Sequence, residues 1–152
     1  MKKRRDVLEW VNKAEQDYQT ALVMARKRKS PVPDVVGFHS QQCIEKYLKG
    51  LLVLKKIDFP KTHDLIELLS ILTEKEPLLD ALATALRILT PFSVQFRYPG
   101  ESATVGESLK ALAAMKHVRK FIKDGFFSPQ SPRRLAVQSK SARVRTGEND
   151  DL

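Results

Sequence analysis

The chain is 152 residues long, 42% hydrophobic, with a formal net charge of +9 and one cysteine. That length holds one domain, and the apolar fraction is ordinary for a globular one with a real core. The lone thiol of Cys43 excludes an internal disulfide and any cysteine-rich zinc site.

Strand signals are nearly absent, and helical spacing recurs instead. A first helix is expected over about 6–26, where Val7, Trp10, Ala14, Tyr18, Ala21 and Ala25 form a stripe at steps of three and four. Asp17 sits beside that stripe, between Ala14 and Ala21. Ser30-Pro31-Val32-Pro33 ends the helix, because proline cannot continue it. Asp34 then offers an N-cap to a second helix over about 35–56. Its broad apolar face comprises Val36, Cys43, Ile44, Tyr47, Leu48, Leu51 and Leu54. The opposite face carries Gln42, Glu45, Lys46 and Lys49, with Phe38 and Val53 among them. A helix with apolar residues on both faces is expected to be central in the fold, or covered by a partner subunit or ligand.

Phe59-Pro60 marks an extended connection. Thr62 is the expected N-cap of a third helix, with Asp64 in its first turn and Leu65, Leu68, Leu69 and Leu72 as its stripe. Pro77 is placed to open a fourth helix and Pro91 to close it, with Leu78, Leu82, Ala85, Leu86 and Leu89 repeating between them. A turn is expected at Arg97-Tyr98-Pro99-Gly100, where proline followed by glycine suits type II. Thr104 and Glu107 make a capping box for a last helix running to about 124, with Gly125 as its C′ residue. The fold class is therefore all-α, an antiparallel up-and-down bundle of four to five helices over residues 1–127. Residues 128–152 hold prolines, basic residues and little apolar surface, and are expected to form a disordered basic and polar tail.

The basic block Lys2 to Arg5 is followed by no apolar stretch, so no secretory signal is expected. No run of about 18 apolar residues occurs, so the expectation is a cytoplasmic protein with no membrane partner. The positive surface suits phosphates, nucleic acid or an acidic protein. His39, His63 and His117 are scattered and form no His-Glu-x-x-His pattern, so no metal is expected. No glycine-rich phosphate loop and no nucleophile elbow occur, and no cofactor is expected. Cys43, on an apolar helix face, is expected to be an inert core thiol.

Two features carry chemistry. Gln42, Glu45, Lys46 and Lys49 share one helix face. They form either a solvated, salt-bridged surface or a partly buried set that fixes a partner or a phosphate. Arg97 in its turn is either a surface residue or a fork pinned to a carboxylate such as Asp17 or Glu45.

Asp17, then Phe38-x-x-Gln41-Gln42-x-x-Glu45-Lys46-x-x-Lys49, then Phe59-Pro60-x-Thr62-His63-Asp64-Leu65, then Arg97-Tyr98-Pro99-Gly100, together resemble the HEPN family, the higher eukaryotes and prokaryotes nucleotide-binding domain. The resemblance spans roughly residues 6–124. It implies a helical bundle, a homodimer, and a protein partner in the form of a minimal nucleotidyltransferase within a toxin–antitoxin-like system. It also implies nucleotide or RNA binding. In such a binding module Lys46, Lys49 and Arg97 are expected to contact phosphate or an acidic surface, while Gln42 and Glu45 orient them. Many members of the family are metal-independent ribonucleases carrying an Arg-x4–6-His motif. This chain has no arginine at that spacing before any histidine. Lys56 before His63 and Lys110 before His117 come nearest, and lysine lacks the planar fork of arginine. A binding module is therefore expected ahead of an enzyme. One alternative is a metal-independent endoribonuclease with a nonstandard site, in which His63 is the candidate general acid or base. The other is a non-catalytic dimerisation or interaction module, in which Asp17 pairs with Lys46 or Arg97.

Overall fold

The computed structural model describes residues 2–129, with side chains from Arg5 onward. The tail expected at 128–152 therefore lies almost entirely outside the described residues. Five α-helices follow in order: α1 (Lys2–Ala25), α2 (Pro33–Leu54), α3 (Leu65–Thr73), α4 (Ala83–Leu89) and α5 (Val105–Ile122). Short 3-10 segments flank α4 at Pro77–Leu82, Thr90–Ser93 and Gln95–Arg97. No strand occurs among the described residues, and the chain is all-α. Two compact units are delineated, one over Met1–Arg119 and one beginning at Lys120.

In the first unit, α2 is the central element. Its buried residues include Val36, Ile44, Tyr47, Leu48, Leu51 and Leu52, but also Gln41, Glu45 and Lys49. Residues on almost every side of the helix are covered, as apolar residues on both faces require. Helix α1 runs antiparallel to it. Trp10 and Val7 lie against Gly50, whereas Asp17 lies against His39 and Lys46. Leu65, Leu68 and Leu72 of α3 and Leu86 and Leu89 of α4 are fully buried. Each such side chain contributes roughly 1.5–3 kcal/mol by leaving water.

Helix ends follow local chemistry, with four departures from expectation. Pro33 takes the first helical position of α2, so Val32 is the N-cap and Asp34 falls in the first turn. The freed Asp34 carboxylate instead accepts the Ala103 N–H at 2.7 Å, pinning the chain just before α5. Asp64, not Thr62, caps α3, accepting from the Ile66 and Glu67 N–H groups. Thr62 Oγ1 accepts from the Asp64 N–H and donates to Glu67, so it braces the cap. Residues from Pro77 first form a 3-10 helix, and α4 proper begins at Ala83. Gly125 is not a left-handed C′ residue. In the second unit the chain passes into a π-helical turn, Lys123–Phe127, closed by the Ser128 N–H on the Lys123 carbonyl at 2.7 Å. That wider turn takes the place of a left-handed glycine cap.

Other expectations match the structure. Thr104 and Glu107 close a reciprocal capping box, at 3.0 and 3.1 Å. Tyr98 to Glu101 is a type II turn, with Pro99 second, Gly100 third at φ +93°, and a hydrogen bond from the Glu101 N–H to the Tyr98 carbonyl. Residues 77–97 are long and apolar enough to cross a membrane by length and composition alone. Pro77 and Pro91 break them into short helical pieces, and Leu79, Leu82, Leu86, Leu89 and Phe92 are buried within the protein.

Candidate functional site

The polar residues of α2 do not form a solvated face. They form two connected groups, one against α1 and one against the chain entering α3.

The first group centres on Asp17, buried on α1. His39 Nδ1 stands 2.8 Å from Asp17 Oδ1, and Lys46 Nζ donates to Oδ2. His39 and Lys46 are two helical turns apart, so both reach the same carboxylate. The second group centres on Glu45, whose side chain is only 4% exposed. Its Oε1 accepts from Gln41 Nε2 at 3.2 Å and lies 3.0 Å from His63 Nδ1, and its Oε2 accepts from Lys49 Nζ at 3.3 Å. Lys49 Nζ also lies 5.8 Å from the centre of the Trp10 ring, within cation–π range. Gln41 Oε1 accepts from Gln42 Nε2 at 2.8 Å, and Gln41 Nε2 also reaches the His63 carbonyl at 3.3 Å. Among the described residues, no buried side-chain nitrogen or oxygen is left without a partner. A buried charge is tolerated only under that condition.

A third group braces these helices. Arg119 of α5 grips Glu15 of α1 with both Nε and Nη2, at 2.8 and 2.9 Å, and lies 3.8 Å over the Tyr18 ring. Tyr47 of α2 donates its hydroxyl to the same Glu15. Burial, followed by that hydrogen bond, pushes the Tyr47 phenol well above its ordinary range. Burial likewise pushes the Cys43 thiol up, helped by the charges of Glu15 and Asp17. Cys43 is therefore held as a neutral core thiol.

Of the residues singled out in the sequence, Glu45 and Lys49 come together directly, and Lys46 joins Asp17. Gln42 enters the Glu45 group through Gln41. Both lysines are thus matched by carboxylates inside the protein. Arg97 meets neither Asp17 nor Glu45. Its guanidinium lies 5.0 Å over the Phe38 ring, which makes an edge contact with His39 at 5.3 Å. The short 3-10 segment Gln95–Arg97 packs against α2, which brings Arg97 to an aromatic face. His63 keeps an exposed ring, with 73% of its side chain open, while its Nδ1 side is anchored on Glu45. His117 joins neither group; it lines an open apolar groove with Ala81, Ala85, Ile88, Lys110 and Ala113.

Sequence reasoning missed His39 and Gln41. His39 stands seven residues before Lys46, and that spacing was the available signal that the two share one partner on a facing helix. Gln41 stands in the motif that resembles the HEPN family, but its role was not legible, because it depends on where the His63 carbonyl falls. No metal-binding group of three or more His, Cys, Asp or Glu occurs among the described residues.

The HEPN domain family model matches residues 7–125 of the chain. No curated protein and no solved structure matches it.

Proposed function

This chain belongs to the HEPN domain family, and on that premise we propose that it is a nucleotide- or RNA-binding module that serves as the partner subunit of a minimal nucleotidyltransferase in a toxin–antitoxin-like system. Membership supports the coarse reading, a nucleotide- or RNA-related helical module. The observation that carries binding is Arg97. Lys46 and Lys49 have their charges matched by Asp17 and Glu45, whereas Arg97 is exposed, is held over Phe38, and makes no ion pair among the described residues. A planar fork with its position fixed and its charge unmet suits a phosphate. The net charge of +9 draws a polyanion towards it.

The test is fluorescence anisotropy with labelled single-stranded RNA and with labelled nucleotides, across a salt series. Arg97→Ala is expected to weaken binding at least fivefold and to reduce the salt slope by about one ion. Equal affinity for both proteins removes Arg97 from the interface. The partner reading is tested by co-expression with a minimal nucleotidyltransferase encoded beside the chain, and failure to co-purify ends it. A solution mass at twice 17.3 kDa supports the homodimer, and a mass at that value opposes it.

A second reading rests on His63. A buried carboxylate that orients an exposed imidazole is the arrangement of a general acid or base. It supports a metal-independent endoribonuclease with a nonstandard site. Labelled RNA incubated with EDTA tests it, and cutting that survives His63→Ala removes the proposed catalyst.

A further inference from the structure

Every tryptophan, tyrosine and phenylalanine of this chain lies among the described residues, and Tyr98 is the one that is exposed. The others are buried or half-buried, whereas Tyr98 shows 64% of its surface to solvent. Its backbone is fixed on both sides. The Arg97 N–H bonds the Val94 carbonyl at 3.1 Å, closing the short 3-10 helix Gln95–Arg97. The Tyr98 carbonyl then opens the type II turn through Pro99 and Gly100. Beneath this segment Phe92 is buried, its ring 4.9 Å from that of Phe96. The neighbouring guanidinium of Arg97 is itself held over Phe38. An aromatic face is thus presented to water on a rigid support, next to a cation with no carboxylate partner among the described residues.

We infer that Arg97 and Tyr98 form a binding site for single-stranded nucleic acid, in which an unpaired base stacks on Tyr98 while an adjacent phosphate meets Arg97. This rests on the nucleotide- or RNA-binding reading above and narrows it. Stacking requires a base with a free π-face, which a duplex does not offer except at its ends. The phosphate term alone is indifferent to strandedness. The site therefore selects single strands over duplexes, and the selection resides in the ring of Tyr98. A protein surface is the other class of occupant an exposed tyrosine suits. The adjoining arginine, which has no ion pair among the described residues, and the +9 charge favour the polyanion.

The experiment uses the full chain and three probes: a labelled mixed-sequence single-stranded RNA, the same RNA annealed to its complement, and inorganic polyphosphate, which has charge but no bases. Wild type is expected to bind the single strand more tightly than the duplex. Tyr98→Ala is expected to lose about tenfold on the single strand and to keep its affinity for the duplex and for polyphosphate. Tyr98→Phe and Tyr98→Trp are expected to retain single-strand binding, because both keep a stacking face. Tyr98 is exposed, so the melting temperature of all three variants should stay at the wild-type value. A Tyr98→Ala protein that binds the single strand as wild type does overturns the inference while leaving the binding reading intact. Equal losses on RNA and polyphosphate overturn it as well, since the effect is then one of charge. Intact RNA binding combined with loss of self-association in sedimentation overturns it in favour of a protein contact. A wild-type protein that binds no RNA fails at the earlier step and overturns this inference together with the RNA-binding reading, leaving nucleotide binding to the labelled-nucleotide assay.

Discussion

Glu45, buried on α2, and His63, exposed ahead of α3, stand 18 residues apart in sequence and meet at 3.0 Å. One end of this pair is inside the protein and the other is in water, and the two ends are expected to answer mutation differently.

Glu45→Ala leaves Lys49 buried without its carboxylate, and is expected to cost about 3–5 kcal/mol in stability. His63→Ala removes an exposed ring and is expected to cost less than about 1 kcal/mol. Urea unfolding of both variants measures the split. Equal losses contradict the assignment of structural work to Glu45 and outward function to His63.

Gly37 owes its identity to Phe92. A Cβ at this position would lie 1.9 and 2.0 Å from two atoms of the Phe92 ring. Gly37→Ala is expected to destabilise by about 1–3 kcal/mol or more through overpacking. Combining it with Phe92→Leu should cost less than the sum of the single changes, because the smaller side chain relieves the clash. Strict additivity in a double-mutant cycle rules out this contact as the cause.

Cys43 should be silent to thiol reagents in the folded protein. Burial foremost, then the charges of Glu15 and Asp17, raises its pKa, so the thiolate is disfavoured. The unfolded thiol ionises at about pH 8.5, whereas the folded one does not. Stability from this difference is present below that pH and is lost as pH rises above it. Unfolding midpoints should fall on the alkaline side, and Cys43→Ala should flatten that part of the profile. Rapid alkylation of native protein at neutral pH is the contrary result.

Lys56 closes α2 in a left-handed conformation, at φ +59°. The Ile57 N–H reaches the Leu52 carbonyl and the Lys56 N–H the Val53 carbonyl, the pair of bonds of a Schellman motif. A lysine there is strained where glycine is not. Lys56→Gly is expected to stabilise by roughly 0.5–1 kcal/mol, read as a higher melting temperature. A lower melting temperature shows that the exposed Lys56 side chain contributes more than its backbone strain costs.

Much of the fold was legible in the chain. Proline and threonine–glutamate signals mark helix ends, and steps of three and four mark buried stripes, because both depend on residues within one or two turns. Asp64 in place of Thr62, and Val32 in place of Asp34, are shifts of two residues within the correct turns. Gly125 misled for a different reason. A glycine permits a left-handed cap but does not require one, and the chain continues instead into a π-helical turn.

The amino-acid sequence by itself determined that this protein is helical and where its buried stripes run, because both follow from periodicity. It left two alternatives for α2, central or covered by a partner, and two for its polar face, solvated or partly buried. Only the tertiary structure decided the pairings. Asp17 could have met Lys46 or Arg97, and it took Lys46 and His39 because α1 packs antiparallel against α2 at that height. Arg97 went to Phe38, and His63 to Glu45, because the 3-10 helix and the approach to α3 place them there. Charge and hydrogen-bond capacity are written into each residue, but the partner is a matter of distance in space, which residues far apart in the chain acquire only on folding.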